Sequence, residues 1–137
     1  CVHHCTYQVV LLHYGGHYLE AISLFDKFYD HITLMKNTKL RIDFKLLEAV
    51  IRMKAGETNK AMRLSEYSKR QLAKPENEEQ QYTWYLIQFV QVCNSELTSY
   101  SKNKKIGFLV DQFNSSDKPL YSPLFGLYLN YEDFKVV

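Results

Sequence analysis

The chain has 137 residues, one domain's worth, and its 46% hydrophobic and 23% charged side chains exclude disorder driven by low hydrophobicity and high charge. It carries 17 basic and 15 acidic residues, and its pI of about 8.4 lies below the value of about 9 that is typical of nucleic-acid-binding domains. Only 5 Gly and 3 Pro are present, so long helices are favoured over a sandwich or barrel of many short strands, which needs many tight turns.

Apolar residues at spacings of three and four predict helices from the start of the chain. A first helix is predicted over 2–14, and it ends at Gly15-Gly16 because glycine favours the backbone conformation that stops a helix. The same spacing continues over 18–32 and predicts a second helix without a break. The short connection between the two helices predicts an antiparallel hairpin.

Two further helices follow in the same way. Asn37-Thr38 is an N-cap signal for a third helix, which is predicted to end at Gly56. A fourth helix is predicted over 59–73, and Pro75 closes it.

The second half of the chain is rich in aromatic residues. The segment 82–93 has the composition of a strand, but its three/four spacing and its length favour a helix. A shorter helix is predicted over 103–113. The sequence therefore predicts a single all-α domain of antiparallel helical hairpins, with helix pairs at about 2–33, 37–73, 77–113 and 119–137.

Two of the predicted hairpins share a pattern. Gly16 is followed five residues later by Ala21, and Gly56 is followed by Ala61 at the same spacing. The glycine allows a tight reversal of the chain, and the small alanine lets the second helix approach the first closely. The pattern predicts a structural repeat.

The first copy resembles the tetratricopeptide repeat (TPR). Tyr18, Ala21 and Phe25 match the turn and second helix of that repeat, whereas the second copy departs from it with Thr58 and Ser65 in place of aromatic residues. The separation of the two copies also exceeds the usual TPR period of about 34 residues. The resemblance implies that the hairpins stack as a right-handed solenoid. It also implies that this chain is a fragment of a longer array.

Among TPR proteins the chain resembles the subunit 10 family of the CCR-NOT mRNA deadenylase complexes. The resemblance is carried by the runs 7–14 and 18–23 and by later matches in the same order, ending with 124–131. It implies a non-catalytic scaffold in mRNA deadenylation and turnover, bound to the CCR-NOT scaffold subunit and to the subunit 11 class. The expected location is the cytoplasm, with the nucleus as a second one. The alternative is a peptide-sensing TPR-type transcriptional regulator of a bacterium or phage.

The TPR register also implies a concave groove for a partner. Leu46, Val50 and Met53 form one stripe on the third helix, beside a core stripe of Phe44, Leu47 and Ile51. We therefore expect the first stripe to be free surface that receives an amphipathic helix, with the chain's own next helix as the alternative occupant. The predicted partner-binding residues are Val10, His13, Tyr14, Leu46, Val50 and Met53.

Three groups of residues suggest other chemistry, and each has a simpler interpretation. Cysteine and histidine residues cluster over 1–5, but no second Cys/His pair completes a tetrahedral zinc site. Asp26 and Asp30 lie one helical turn apart, and nearby lysines favour a solvated charged face. Cys93 lies in an apolar segment and is expected in the core. No nucleophile–base pair or phosphate-binding loop is found, so we expect no enzyme activity, cofactor, metal or small-molecule substrate.

A basic run with aromatic neighbours occurs near the end of the second half. Lys102, Lys104 and Lys105 lie beside Tyr100 and Phe108, a combination of cations and rings that suits single-stranded RNA. Solvent-facing charge at a helix start is the more common explanation, so RNA contact is not expected. No run of about 18 apolar residues is present, and no membrane contact is predicted.

Overall fold

The computed structural model describes residues 2–34, 36–72 and 78–114, and these residues form seven helices and no strand. The predicted all-α class is therefore confirmed for this part of the chain, including the segment 82–93. The predicted pair over 119–137 lies outside the described residues. The helices are α1 (Val2–Tyr14), α2 (Tyr18–Lys27), α3 (Tyr29–Thr33), α4 (Thr38–Lys54), α5 (Thr58–Leu72), α6 (Glu78–Cys93) and α7 (Ser99–Asn114).

The helix ends differ from the sequence prediction at two places. The predicted continuous helix over 18–32 is interrupted at Phe28, whose ψ of 12° departs from helical geometry. Apolar spacing is the same on both sides of Phe28, so it could not show the break. Helix α7 begins four residues before the predicted 103. The signal is Thr98, whose Oγ1 accepts a hydrogen bond of 3.2 Å from the Ser101 amide, an N-cap contact.

The helices pack mainly against neighbours in chain order. The contacting pairs include α1 with α2, α4 with α5, and α6 with α7, which are the three hairpins. Between hairpins, α4 packs on α2 and α3, and α6 packs on α5 and α4. One apolar core runs through this arrangement and includes Phe25, Phe44, Ile87 and Leu109.

The first hairpin turns through a Schellman motif. The Gly16 amide donates to the His13 carbonyl at 3.1 Å, and the His17 amide donates to the Leu12 carbonyl at 2.8 Å. Gly16 has a φ of +75°, in the left-handed region that disfavours residues with a Cβ. Helix α2 then begins directly after His17.

The second hairpin repeats this turn at Gly56. The Gly56 amide donates to the Met53 carbonyl at 3.0 Å, and the Glu57 amide donates to the Arg52 carbonyl at 2.8 Å. Gly56 has a φ of +86°. Ala21 and Ala61, five residues after the two glycines, have no exposed surface, as the shared pattern predicts. The sequence repeat is therefore a repeat of backbone geometry.

The turn glycines lead to a paired prediction. We expect Gly16→Ala to destabilise the chain by about 1–2 kcal/mol, because a residue with a Cβ is strained in the left-handed conformation. No atom lies close enough to the added Cβ to offset this strain by packing. Gly107→Ala should stabilise it by about 0.5–1 kcal/mol, because Gly107 is an exposed helical residue with open space around it. Urea unfolding of both variants measures the difference. Shifts of the same sign would contradict the assigned turn geometry.

Candidate interaction surface

Helix α4 is the most enclosed helix in the described structure. Every residue from Ile42 to Arg52 is buried, whereas a helix at a protein surface buries only one stripe. The reason is that α2, α3, α5 and α6 all pack against α4. The helix is therefore internal on all sides over three turns.

This enclosure corrects the predicted groove. Leu46 and Val50 have no exposed surface, and Met53 is half-buried. The expectation that this stripe is free surface is wrong at Leu46 and Val50, because neighbouring helices of the same chain cover it. The sequence pattern contains both stripes but does not show how many neighbours α4 has.

Of the predicted groove residues of α1, two are buried and one is exposed. Val10 is 6% exposed and His13 is 5% exposed, so neither presents a binding surface. The His13 ring lies against the rings of Tyr14 and Tyr18, with centroids 5.4 and 5.9 Å away. Tyr14 itself is 60% exposed. Of the six predicted partner-binding residues, Tyr14 is the one that lies at the surface.

Other apolar side chains surround Tyr14 in the sequence. Leu11 lies one helical turn before it and is 56% exposed, and Leu19 lies in the first turn of α2 and is 72% exposed. We call Leu11, Tyr14 and Leu19 the first-hairpin surface, because all three lie within about one helical turn of the Gly15-Gly16 turn. Ile51, which holds the position of Leu11 in the second copy of the repeat, has no exposed surface. The equivalent position is thus open in the first hairpin and covered in the second.

Arg52 forms an ion-pair cluster that the sequence interpretation missed. Its guanidinium donates to Glu48 at 2.7 Å, to Glu57 at 2.6 Å and to Asp26 at 2.9 Å. The Arg52 side chain is 7% exposed and that of Glu48 is 10% exposed. Asp26 belongs to α2, so the cluster joins the first hairpin to the second. The partner of Asp26 is therefore a cation on a neighbouring helix, which gives this carboxylate a structural role.

The cluster shifts the pKa of two members. Burial alone would lower the pKa of Arg52, but hydrogen bonds and charge interactions with Glu48 and Glu57 outweigh it and hold that pKa above its ordinary value. The hydrogen bond from Arg52 lowers the pKa of Glu57, and the charges of Arg52 and Lys60 act in the same direction. Arg52 therefore remains charged at every ordinary pH, and Glu57 keeps its negative charge to a lower pH than an ordinary glutamate.

Glu57 makes part of the stability pH-dependent. Its pKa is lower in the folded chain than the ordinary 4.5, so its contribution is complete above about pH 4.5 and is lost as the pH falls through the folded value. We expect Glu57→Gln to be less stable than the wild type at pH 7 and the difference to shrink below pH 4.5. Urea unfolding between pH 7 and pH 3 measures it. Glu96→Gln, at an exposed position, is the control, and an equal pH profile for both variants would contradict this assignment.

A second buried cation lies on the same helix. Lys45 is 8% exposed, and its Nζ lies 5.0 Å from the ring centroid of Tyr29 and 5.5 Å from that of Tyr67. Such cation–π contacts stabilise a charge that has lost part of its hydration. Because Tyr29 lies in α3 and Tyr67 in α5, Lys45 links three helices.

The other residues that suggested chemistry in the sequence are Cys93 and the Cys/His cluster over 1–5. Burial raises the pKa of the Cys93 thiol to about 11, although Lys102 and Lys54 act in the opposite direction, so the thiol is protonated at neutral pH and a poor nucleophile. No three His, Cys, Asp or Glu residues converge on a metal-sized site within the described ranges. The Cys/His cluster over 1–5 lies outside the described side chains. None of the seven helices is both long and apolar enough to cross a bilayer.

Comparisons of the chain with protein-family models, curated proteins and solved structures give no match.

Proposed function

We propose that the chain is a non-catalytic scaffold of TPR type, whose hairpins stack as a right-handed solenoid. The observation that carries this proposal is the turn at Gly16 that recurs at Gly56, each time with the same hydrogen bonds, a left-handed glycine and a buried alanine. Packing between neighbours in chain order supports it, because solenoid repeats contact mainly the repeats next to them. The separation between the two copies, from Gly16 to Gly56, is longer than the usual TPR period of about 34 residues.

The proposed role is that of a CCR-NOT subunit of the subunit 10 family, acting in mRNA deadenylation and turnover in the cytoplasm and the nucleus. The sequence resemblance over 7–14 and 18–23 supports this role, and these runs lie in α1 and α2, the helices of the first hairpin. The proposed partners are the CCR-NOT scaffold subunit and the subunit 11 class. In this role the chain positions other subunits and carries out no chemistry itself.

The first-hairpin surface is the proposed contact with those partners. Leu11, Tyr14 and Leu19 expose more than half of their surface and lie close in sequence to the same turn, and an exposed apolar patch is typical of a protein–protein contact. Tyrosine at such a position offers a large apolar ring with a polar tip, which is common at binding hot spots. This surface replaces the stripe of α4 as the candidate binding site.

Capture of the two CCR-NOT partners from co-expressed subunits tests the proposal. We expect the wild-type chain to retain both subunits and Leu11→Asp/Leu19→Asp to lose them, since charges buried at an interface are costly. Leu34→Asp is the matched control, because Leu34 is 78% exposed and lies outside the first-hairpin surface. Thermal melts of all three proteins should agree. No capture by the wild type would overturn the CCR-NOT assignment, and capture by the double variant would overturn the contact surface.

A further inference from the structure

Helix α7 carries a row of exposed side chains that the core does not use. Tyr100, Lys104 and Phe108 are spaced by four residues, and such a row forms a continuous ridge on a helix. Tyr100 is 77% exposed and Phe108 is 63% exposed, and Lys104 and its neighbour Lys105 are exposed as well. The other side of the helix enters the core at Ile106. We call Tyr100, Lys104, Lys105 and Phe108 the α7 ridge.

The structure divides the lysines of this basic run into two groups. The Nζ of Lys102 donates to the carbonyl of Cys93 at 3.0 Å, so this lysine ties α7 to the end of α6. Its charge also suits the negative end of the α6 dipole. Lys104 and Lys105 are instead exposed to solvent, in the stretch of helix between Tyr100 and Phe108. Two of the three cations are thus directed away from the fold.

We propose that the α7 ridge binds an acidic amphipathic helix of a protein partner. The inference rests on the proposed scaffold function and names a second contact surface with the charge of its partner. Tyr100 and Phe108 supply rigid apolar contacts, which carry most of the energy at binding hot spots. Lys104 and Lys105 lie beside the rings and select a partner whose apolar positions are flanked by Asp or Glu. A ridge with a four-residue spacing packs into the groove between rows of a second helix.

The charges favour an acidic helix over single-stranded RNA. RNA also uses rings and cations, but it follows a groove that is positive along its length. Here one of the three lysines is engaged with Cys93, which leaves two exposed cations in the run. The whole chain has a formal net charge of only +2. Two outward lysines match two carboxylates of a helical partner, whereas a phosphate chain needs a longer positive path.

A designed peptide tests this inference on the full chain. The probe is a labelled helix of about 18 residues with Leu on one stripe and Glu on both flanks, a length of about five turns, and the control peptide has Lys in place of each Glu. Fluorescence anisotropy should show binding of the Glu peptide and no binding of the Lys peptide. We expect Lys104→Glu/Lys105→Glu to weaken binding by about tenfold or more, because two attractions become repulsions. Tyr100→Ala/Phe108→Ala should weaken it at least as much.

A matched variant controls for net charge. Lys36→Glu/Arg63→Glu reverses two exposed cations elsewhere and should leave the affinity unchanged. Thermal melts of the ridge variants should match the wild type, because all four side chains are exposed. Equal binding of the Lys peptide, tighter binding of a single-stranded uridine oligomer, or unchanged affinity after reversal of Lys104 and Lys105 would each overturn the inference.

The capture assay separates this inference from the proposed function. If the Glu peptide fails to bind while the chain still captures the CCR-NOT subunits, the ridge inference alone is wrong. If the peptide binds through the ridge while capture fails, the CCR-NOT assignment alone is wrong. If peptide binding and capture both fail, the ridge inference and the CCR-NOT assignment are both wrong.

Discussion

Val50→Asp should destabilise the chain by about 4 kcal/mol or more, because it places a carboxylate at a fully buried position. Val50 has no exposed surface, and both its flanking residues, Ala49 and Ile51, are completely buried as well. The new carboxylate would therefore lose most of its hydration, because this position has no contact with solvent. Because single domains have a total stability of about 5–15 kcal/mol, this change removes a large part of it.

Chemical denaturation followed by circular dichroism measures the effect. Leu11→Asp is the matched control, since it makes a comparable apolar-to-carboxylate change in the first hairpin at a residue that is 56% exposed. We expect its cost to stay within about 0.5 kcal/mol, as for other surface substitutions. A Val50→Asp chain that unfolds at the wild-type urea concentration would show that α4 is accessible and would restore the stripe of Leu46 and Val50 as a candidate groove.

The helices and turns of the described chain are predictable from sequence because they depend on local signals. Each of these signals involves residues that are only a few positions apart in the sequence. They are the apolar spacing of three and four residues, the N-cap at Asn37 and the glycines at both turns. Asn37 accepts a hydrogen bond of 3.1 Å from the Leu40 amide, as an N-cap should. The break at Phe28 is different, because neither a proline nor a glycine marks it and the apolar spacing continues across it.

Burial on α4 depends on the number of neighbouring helices, which no local signal contains. An apolar stripe beyond the one that a hairpin needs has two explanations, an external partner or a further helix of the same chain. The sequence keeps both open, and packing of α6 on α4 supports the second for the described residues.

A charged residue can mislead in the same way. Arg52 and Glu48 look like a solvated i, i+4 pair, yet both are buried.

Removal of Arg52 gives the second large effect. We expect Arg52→Ala to cost about 3 kcal/mol, because it leaves the buried Glu48 carboxylate without the guanidinium that donates to it at 2.7 Å. The value lies at the low end for a buried pair because water reaches the other two carboxylates. Glu57 is 32% exposed and Asp26 is 66% exposed at the side chain. Urea unfolding at pH 7 measures this cost.

Two further variants assign the cost within the cluster. Asp26→Asn removes the charge of the exposed member and should cost less than about 1 kcal/mol, as exposed ion pairs do. Glu48→Met/Arg52→Met replaces the buried pair with apolar side chains, so it should recover most of the stability that Arg52→Ala loses. If the double variant is as unstable as Arg52→Ala, the cost does not come from an uncompensated Glu48. If Asp26→Asn costs as much as Arg52→Ala, the link from α2 to α4 is the main contribution, and Arg52 stabilises the chain chiefly by joining the first hairpin to the second.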